Sequence, residues 1–161
     1  MIKRILVPVD FSDTALQALD YAIEFGKPFR PELVVLFVVE PVYYATPADL
    51  YGPAANLSML LDEQRRIGKE QLLRLAAELE KRGVNARTVL QTGTPFQVIV
   101  DTAERLKADL IVMATHGRTG LSHVLLGSVA ERVVRSAACP VVTVRGYKPA
   151  KRKPRTKRPS R

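Results

Sequence analysis

Two stretches of this 161-residue chain set ligand-holding residue types where a backbone can use them. In Pro8-Val9-Asp10-Phe11-Ser12, a carboxylate stands just past the apolar run Ile5 to Val9. An aspartate there is an acceptor that can hold sugar hydroxyls. The second stretch, Met113-Ala114-Thr115-His116-Gly117-Arg118-Thr119-Gly120, also ends an apolar run, and Gly127-Ser128-Val129 then opens a helical pattern. The amides of Gly127, Ser128 and Val129 read as unpaired helix-start donors. The helix dipole adds positive potential there, which suits phosphate. The Ser128 hydroxyl can donate to the same anion, and Gly117 and Gly127 allow close backbone approach and positive φ. Val38 and Met113, at neighbouring strand ends, can pack against a purine.

Simpler assignments compete with these. Ser128-x-x-Glu131 is also a capping box, so Ser128 reads equally well as the cap of its own helix. Asp10 can cap the first helix. His116 and His123 read as polar loop residues, since no cysteine or serine nucleophile pairs with them. Two histidines and one cysteine argue against a metal cluster. Cys139, between Ala138 and Pro140, reads as a small buried side chain, and Met113 suits a core as well as a ligand.

The elements that must position these residues follow from periodicity. Ile5 to Val9 is a strand, and Ser12 to about Lys27 a helix with Leu16, Leu19 and Ile23 on one face and Ser12 as cap. Leu33 to Val39 is apolar throughout, as in a strand buried on both faces. Pro41 to Ala55 reads as a loop. A long helix over 57–81 carries Leu60, Gln64, Ile67, Leu72, Leu75 and Leu79 on its face, with Gly83 as a left-handed stop. Val84 to Gln91 is a more polar strand, suited to a sheet edge. Thr94-Pro95-Phe96-Gln97 predicts a capping box with proline in the first turn. Asp109 to Ala114 is a fourth strand and Thr115 to Leu126 a loop. Ser128 to Ala137 is a helix with Val129, Val133 and Val134 inward, and Pro140 to Arg145 a fifth strand. Strict alternation of strand and helix predicts a parallel sheet with right-handed crossovers and helices on both faces. Such sheets bind ligands at the carboxyl ends of strands where the strand order reverses. If strands 1 and 4 are neighbours there, both stretches line one crevice.

The chain is 47% hydrophobic, enough for a sizeable core, and no apolar run approaches a membrane span. Pro8 and Asp10 interrupt the first apolar run, which makes a poor signal peptide. A single cysteine and these features predict a cytoplasmic setting and no membrane partner. The net charge of +9 is concentrated at one end. Residues 146–161 hold 8 of the 25 basic side chains and none of the 16 acidic ones, which leaves the body with one excess positive charge. This tail, with three prolines, reads as a disordered appendage to a single domain over residues 1–145.

Three segments then resemble a known family. Val7-Pro8-Val9-Asp10-Phe11-Ser12, the run from Met113 to Gly120 continued by Leu125-Leu126-Gly127-Ser128-Val129-Ala130-Glu131-Arg132-Val133-Val134, and Cys139-Pro140-Val141-Val142-Thr143-Val144 resemble the universal stress protein family. The family's ATP-binding signature is glycine, two residues, glycine, nine residues, glycine, then serine or threonine. Gly117, the nine-residue spacing and Gly127-Ser128 match it, and Ala114 replaces its first glycine. The resemblance implies an α/β three-layer sandwich of adenine nucleotide alpha hydrolase-like type, with five parallel strands in the order 3-2-1-4-5. It implies a site for ATP or another adenine nucleotide, with magnesium as companion ion. There Asp10 contacts ribose, Val38 lies at adenine, and Met113 and Ala114 line the nucleotide. Gly117, Gly127, Ser128 and Val129 surround the phosphates, and Pro8, Val9, His116 and Arg118 complete the implied set. It also implies a homodimer paired through the fifth strand, Val141 to Val144, whose bare apolar edge is a liability.

The leading expectation is an ATP-binding, nucleotide-responsive stress module. It is not an enzyme beyond slow hydrolysis, because no Walker lysine, no carboxylate cluster for magnesium and no general base for water is visible. The rival is a nucleotide-free regulatory module for an unidentified protein partner, with Ala114 marking loss of the site. Flavodoxin-like binding lacks its phosphate loop after strand 1, and a phospho-accepting receiver lacks its aspartate after strand 3, which ends Gln91-Thr92-Gly93. A third reading is weak nucleic-acid association through the tail: its eight cations would bind without regard to sequence, since Tyr147 alone offers a stacking ring. Deleting residues 148–161 is expected to abolish retention on immobilised DNA at low salt, and retention that persists would exclude a tail mechanism.

Overall fold

The computed structural model describes residues 1–41, 55–116 and 126–146, the side chains of residues 55–57 excepted. The expected loop over 41–55 (past Pro41), Gly117 and Arg118, and the tail from residue 147 lie outside the described residues. The element order is β1 (Arg4–Val9), α1 (Asp13–Gly26), β2 (Glu32–Val39), α2 (Ala55–Lys81), β3 (Ala86–Thr92), α3 (Pro95–Leu106), β4 (Leu110–Ala114), α4 (Ser128–Ser136) and β5 (Val141–Val144). The five strands are parallel in the order β3-β2-β1-β4-β5, as the resemblance implied. The polar third strand is an edge, and the apolar Leu33–Val39 run lies inside.

Strand parity divides the core in two. Ile5, Val7, Leu33, Val35 and Val112 face α1 and α2, where Ala18, Leu19, Leu72 and Leu79 pack on them. Leu6, Val34, Leu36, Ile111 and Met113 face α3 and α4, where Ile99, Ala103, Ala130 and Val133 pack. A fully buried leucine or isoleucine contributes roughly 1.5–3 kcal/mol through area removed from water. Both faces of the central strands are therefore stabilised.

Several local expectations need correction. Val134 is exposed, because Ala130 and Val133 already occupy the inward side of the short α4. Leu60 and Ile67 are exposed, and the inward stripe of α2 runs through Leu61, Gln64, Gly68, Leu72, Leu75 and Leu79. Thr94 occupies the cap position of α3 but makes no side-chain cap bond, Pro95 having already preset the first turn. Gly83 does end α2 in the left-handed region, at φ +68°. Cys139 is only half-buried, and burial still pushes its thiol pKa up.

The amino end of the sheet is held by charge. Glu32 accepts from Arg4 Nε and from Arg87 Nε, each at 2.7 Å, and so links β1, β2 and β3. Asp109 Oδ2 accepts from the main-chain amides of Lys3 (2.7 Å) and Arg4 (2.9 Å). The Arg4 hydrogen bond, with the nearby Arg87 charge, holds the Glu32 carboxyl below its ordinary pKa, and the two amides do the same for Asp109. A carboxyl lowered in the folded state adds stability above its unfolded pKa and loses it as pH falls through its folded value. The melting temperature is therefore expected to decline below about pH 4. A Glu32→Gln, Asp109→Asn double variant is expected to melt lower at neutral pH and to show a flatter acid limb. Equal acid slopes in the two proteins would exclude this assignment.

Candidate functional site

The bank on the β1 side is built from one turn. Phe11, directly after Asp10, sits at φ +62°, a left-handed conformation unusual for a bulky residue. Its ring rests on Phe37 of β2, with centroids 4.9 Å apart. Asp10 Oδ1 accepts from the Ser12 amide at 3.0 Å and from the Ser12 hydroxyl at 2.5 Å. Ser12 caps α1, its Oγ accepting from the Ala15 amide at 3.3 Å. The capping role open to Asp10 thus belongs to Ser12, and Asp10 instead shapes the turn. These two bonds use part of the roughly four acceptor positions of a carboxylate.

The opposite bank is built from the end of β4 and the start of α4. The Thr115 amide donates to the Val144 carbonyl at 3.1 Å, which carries the β4–β5 pairing one residue further. The Gly127 amide donates to the Thr115 carbonyl at 2.7 Å, so it is not the free donor the sequence suggested. The amides of Ser128 and Val129 remain as helix-start donors. Gly127, not Ser128, is the cap residue of α4, and no side-chain cap bond forms there. Its φ is −69°, so glycine is not required there for positive φ. The need is space: a Cβ would lie 3.0 Å from the Thr115 carbonyl oxygen, which the Gly127 amide itself holds in place. Glu131 in the first turn of α4 offsets part of the helix-end potential, and Arg135 pairs with it at 3.2 Å.

Between the banks lies a cleft of about 540 Å³ at the carboxyl ends of the strands. Pro8, Val9, Asp10, Val38, Met113, Ala114, His116, Gly127, Ser128 and Val129 all line it. Gly117 and Arg118 lie outside the described residues. Val38 and Met113 both belong to the α3–α4 face, so two apolar side chains flank the same side of the opening. Ala114 belongs to the core on the α1 face and lies in regular strand with no positive φ, so its methyl replaces a glycine without backbone strain.

The cleft also has a wall the motifs did not reveal. Gln64, Ile67, Gly68 and Gln71 of α2 line it, with Glu40, Pro95 and Ile99. The signal was present: two glutamines seven residues apart interrupt an otherwise leucine-rich inward stripe. Gly68 lets the helix meet Phe37, since a Cβ there would come within 2.4 Å of the ring.

These assignments separate in denaturation experiments. Gly127→Ala is expected to lower stability by about 1–2 kcal/mol through the clash with Thr115. Ser12→Ala should cost about 1 kcal/mol as the loss of a real cap. Ser128→Ala should stay within about 0.5 kcal/mol. A Ser128→Ala loss as large as that of Ser12→Ala would return Ser128 to a capping role.

Comparison with known proteins agrees with the geometry. A model of the universal stress protein family matches residues 1–145. The universal stress protein MJ0531 of Methanocaldococcus jannaschii is 42% identical over 146 residues, spanning 90% of this chain and 83% of that protein. The solved structure of UspA from Lactobacillus plantarum superposes with a TM-score of 0.78 at 31% identity, over 89% of this chain and 98% of its own. A universal stress protein family protein from Arabidopsis thaliana, solved with AMP bound, shares the fold at a TM-score of 0.59 and 22% identity, over 95% of this chain and 97% of its own. The chain is a member of the universal stress protein family.

Proposed function

We propose that the chain binds ATP or another adenine nucleotide in this cleft and acts as a nucleotide-responsive module of the stress response. The observation that carries the reading is the convergence of three kinds of group on one opening. Asp10 offers acceptors suited to ribose hydroxyls, Val38 and Met113 offer an apolar flank for a base, and the Ser128 and Val129 amides offer donors and helix-end potential for phosphate. The bound AMP in the Arabidopsis relative supports the same ligand class.

Binding in this arrangement needs little rearrangement of the described residues. The Asp10 turn is already shaped by Ser12, and the α4 start is already fixed by the Gly127–Thr115 bond. For a companion magnesium ion, Asp10 and Glu40 are the carboxylates lining the cleft among the described residues. Magnesium is commonly held by one or two carboxylates together with phosphate oxygens, so either of these side chains would serve as the protein's share of its ligands. The ion would neutralise phosphate charge. In this reading turnover is at most slow, and the protein senses the nucleotide more than it consumes it. It acts in the cytoplasm as a homodimer paired through β5; no helix of the described residues is long and apolar enough to cross a membrane.

Isothermal titration should show ATP binding below millimolar concentration, and ATP should raise the melting temperature by mass action. Asp10→Ala and Gly127→Val should each weaken both effects. A wild-type protein that binds no ATP at millimolar nucleotide would reject the reading, and the nucleotide-free partner module would take its place.

A further inference from the structure

We propose that Thr14 is a positioning residue for the cleft, its hydroxyl forming the tie that fixes how far the β1 turn stands from the end of β4. The inference rests on the nucleotide reading above and adds to it a residue that does not line the cleft.

The two central strands part company early. β1 stays paired with β2 through Val9↔Phe37, and β4 stays paired with β5 through Ala114↔Val144. Between β1 and β4 the pairing is confined to Ile5↔Leu110 and Leu6↔Ile111. Beyond Leu6 each strand follows its outer neighbour, and the space between their carboxyl ends becomes the cleft. Main-chain pairing of β1 with β4 therefore does not set the width of the opening.

A side chain spans the gap instead. Thr14 Oγ1 donates to the His116 carbonyl at 3.0 Å, a contact between the first turn of α1 and the residue two beyond β4. A threonine in the first turn of a helix ordinarily finds a local partner; this one reaches 102 residues along the chain. Its neighbours join the two banks into one network. Ser12 Oγ lies 3.1 Å from Thr14 Oγ1 and donates to Asp10, while Thr115, adjacent to His116, accepts from Gly127. Each hydroxyl has a single hydrogen. With that of Ser12 on Asp10 and that of Thr14 on His116, the Ser12–Thr14 approach is a packing contact, and Thr14 has no hydrogen for a second acceptor. A route from the ribose-side carboxylate to the phosphate-side amides thus passes through the Thr14 hydroxyl.

A ligand that touches both banks feels this spacing, and a ligand that touches one does not. ATP reaches from Asp10 to the amides of Ser128 and Val129, whereas adenosine reaches only the Asp10 side. The experiment compares wild type with Thr14→Val, which keeps the shape and removes the donor, and with Thr14→Ser, which keeps the donor. Thr14→Ala serves as the second donor-free variant should the valine disturb α1. ATP is titrated by calorimetry, adenosine by NMR shift, and melting temperature is recorded without ligand.

Thr14→Val is expected to weaken ATP binding about tenfold and to leave adenosine within about twofold, with Thr14→Ser restoring ATP affinity. Unchanged ATP affinity in both donor-free variants overturns the proposal. So does equal weakening of ATP and adenosine, which marks a merely structural role, and so does failure of serine to rescue. If wild type itself binds no ATP, the nucleotide reading falls. The tie is then judged by hydrogen exchange at the Ser128 and Val129 amides of the free protein: faster exchange in Thr14→Val supports it, and unchanged exchange overturns it.

Discussion

A parallel strand can keep two hydrogen-bonded neighbours along its full length only if all three strands stay in step. Here β1 keeps β2 to the end and releases β4 after two residue pairs. That release depends on the topology. Chain order runs outward from β1 through β2 to β3 on one side, then returns to β4 and β5 on the other. The crossovers therefore leave in opposite directions from the central pair. The left-handed turn at Phe11, the glycine at the start of α4 and the side-chain tie between the two banks all stand at the gap between β1 and β4.

The two ends of the sheet are specialised in different ways. At the amino end, polar groups are satisfied within the protein: Glu32 takes two guanidinium partners, Asp109 takes two main-chain amides, and Arg4 also donates to the Leu106 carbonyl. At the carboxyl end, the helix-start amides of Ser128 and Val129 face the cleft with no main-chain partner upstream in their own helix. The first end is closed by contacts within the protein, and the second is the end to which the proposed function assigns the ligand. The strain at Phe11 belongs to the second end, and its ring contact with Phe37 helps hold it in place.

Much of this was legible in the chain itself. Strands such as Leu33–Val39 declare themselves because burial on both faces demands an unbroken apolar run, and strand alternation with helices leaves few topologies. Asp10 and Ser128 could be singled out because their residue types fit strand-end and helix-start chemistry. What stayed hidden was three-dimensional. The engagement of the Gly127 amide depends on a carbonyl twelve residues earlier, which no local pattern encodes. The choice between Ser12 and Asp10 as the cap of α1 turned on the left-handed Phe11 between them. In α2 leucine and isoleucine suggest burial at Leu60 and Ile67, yet Leu60 is exposed and Ile67 is exposed at the cleft that Gln64 and Gly68 also line. Thr14 carried no signal at all, being an ordinary residue for a first helical turn.

The two flanks of the sheet are also unlike. β3 carries Arg87, ion-paired to Glu32, and its last residue, Thr92, receives a hydrogen bond from Arg65 of α2, so cationic side chains guard that margin. β5 is four residues long, with Val141 and Val142 partly accessible and no such guard among the described residues. A molecule adhesive on both flanks would add copies head to tail and grow into open filaments. In the homodimer proposed above, pairing through β5 would join like to like and leave only guarded margins outward, so growth would stop at two.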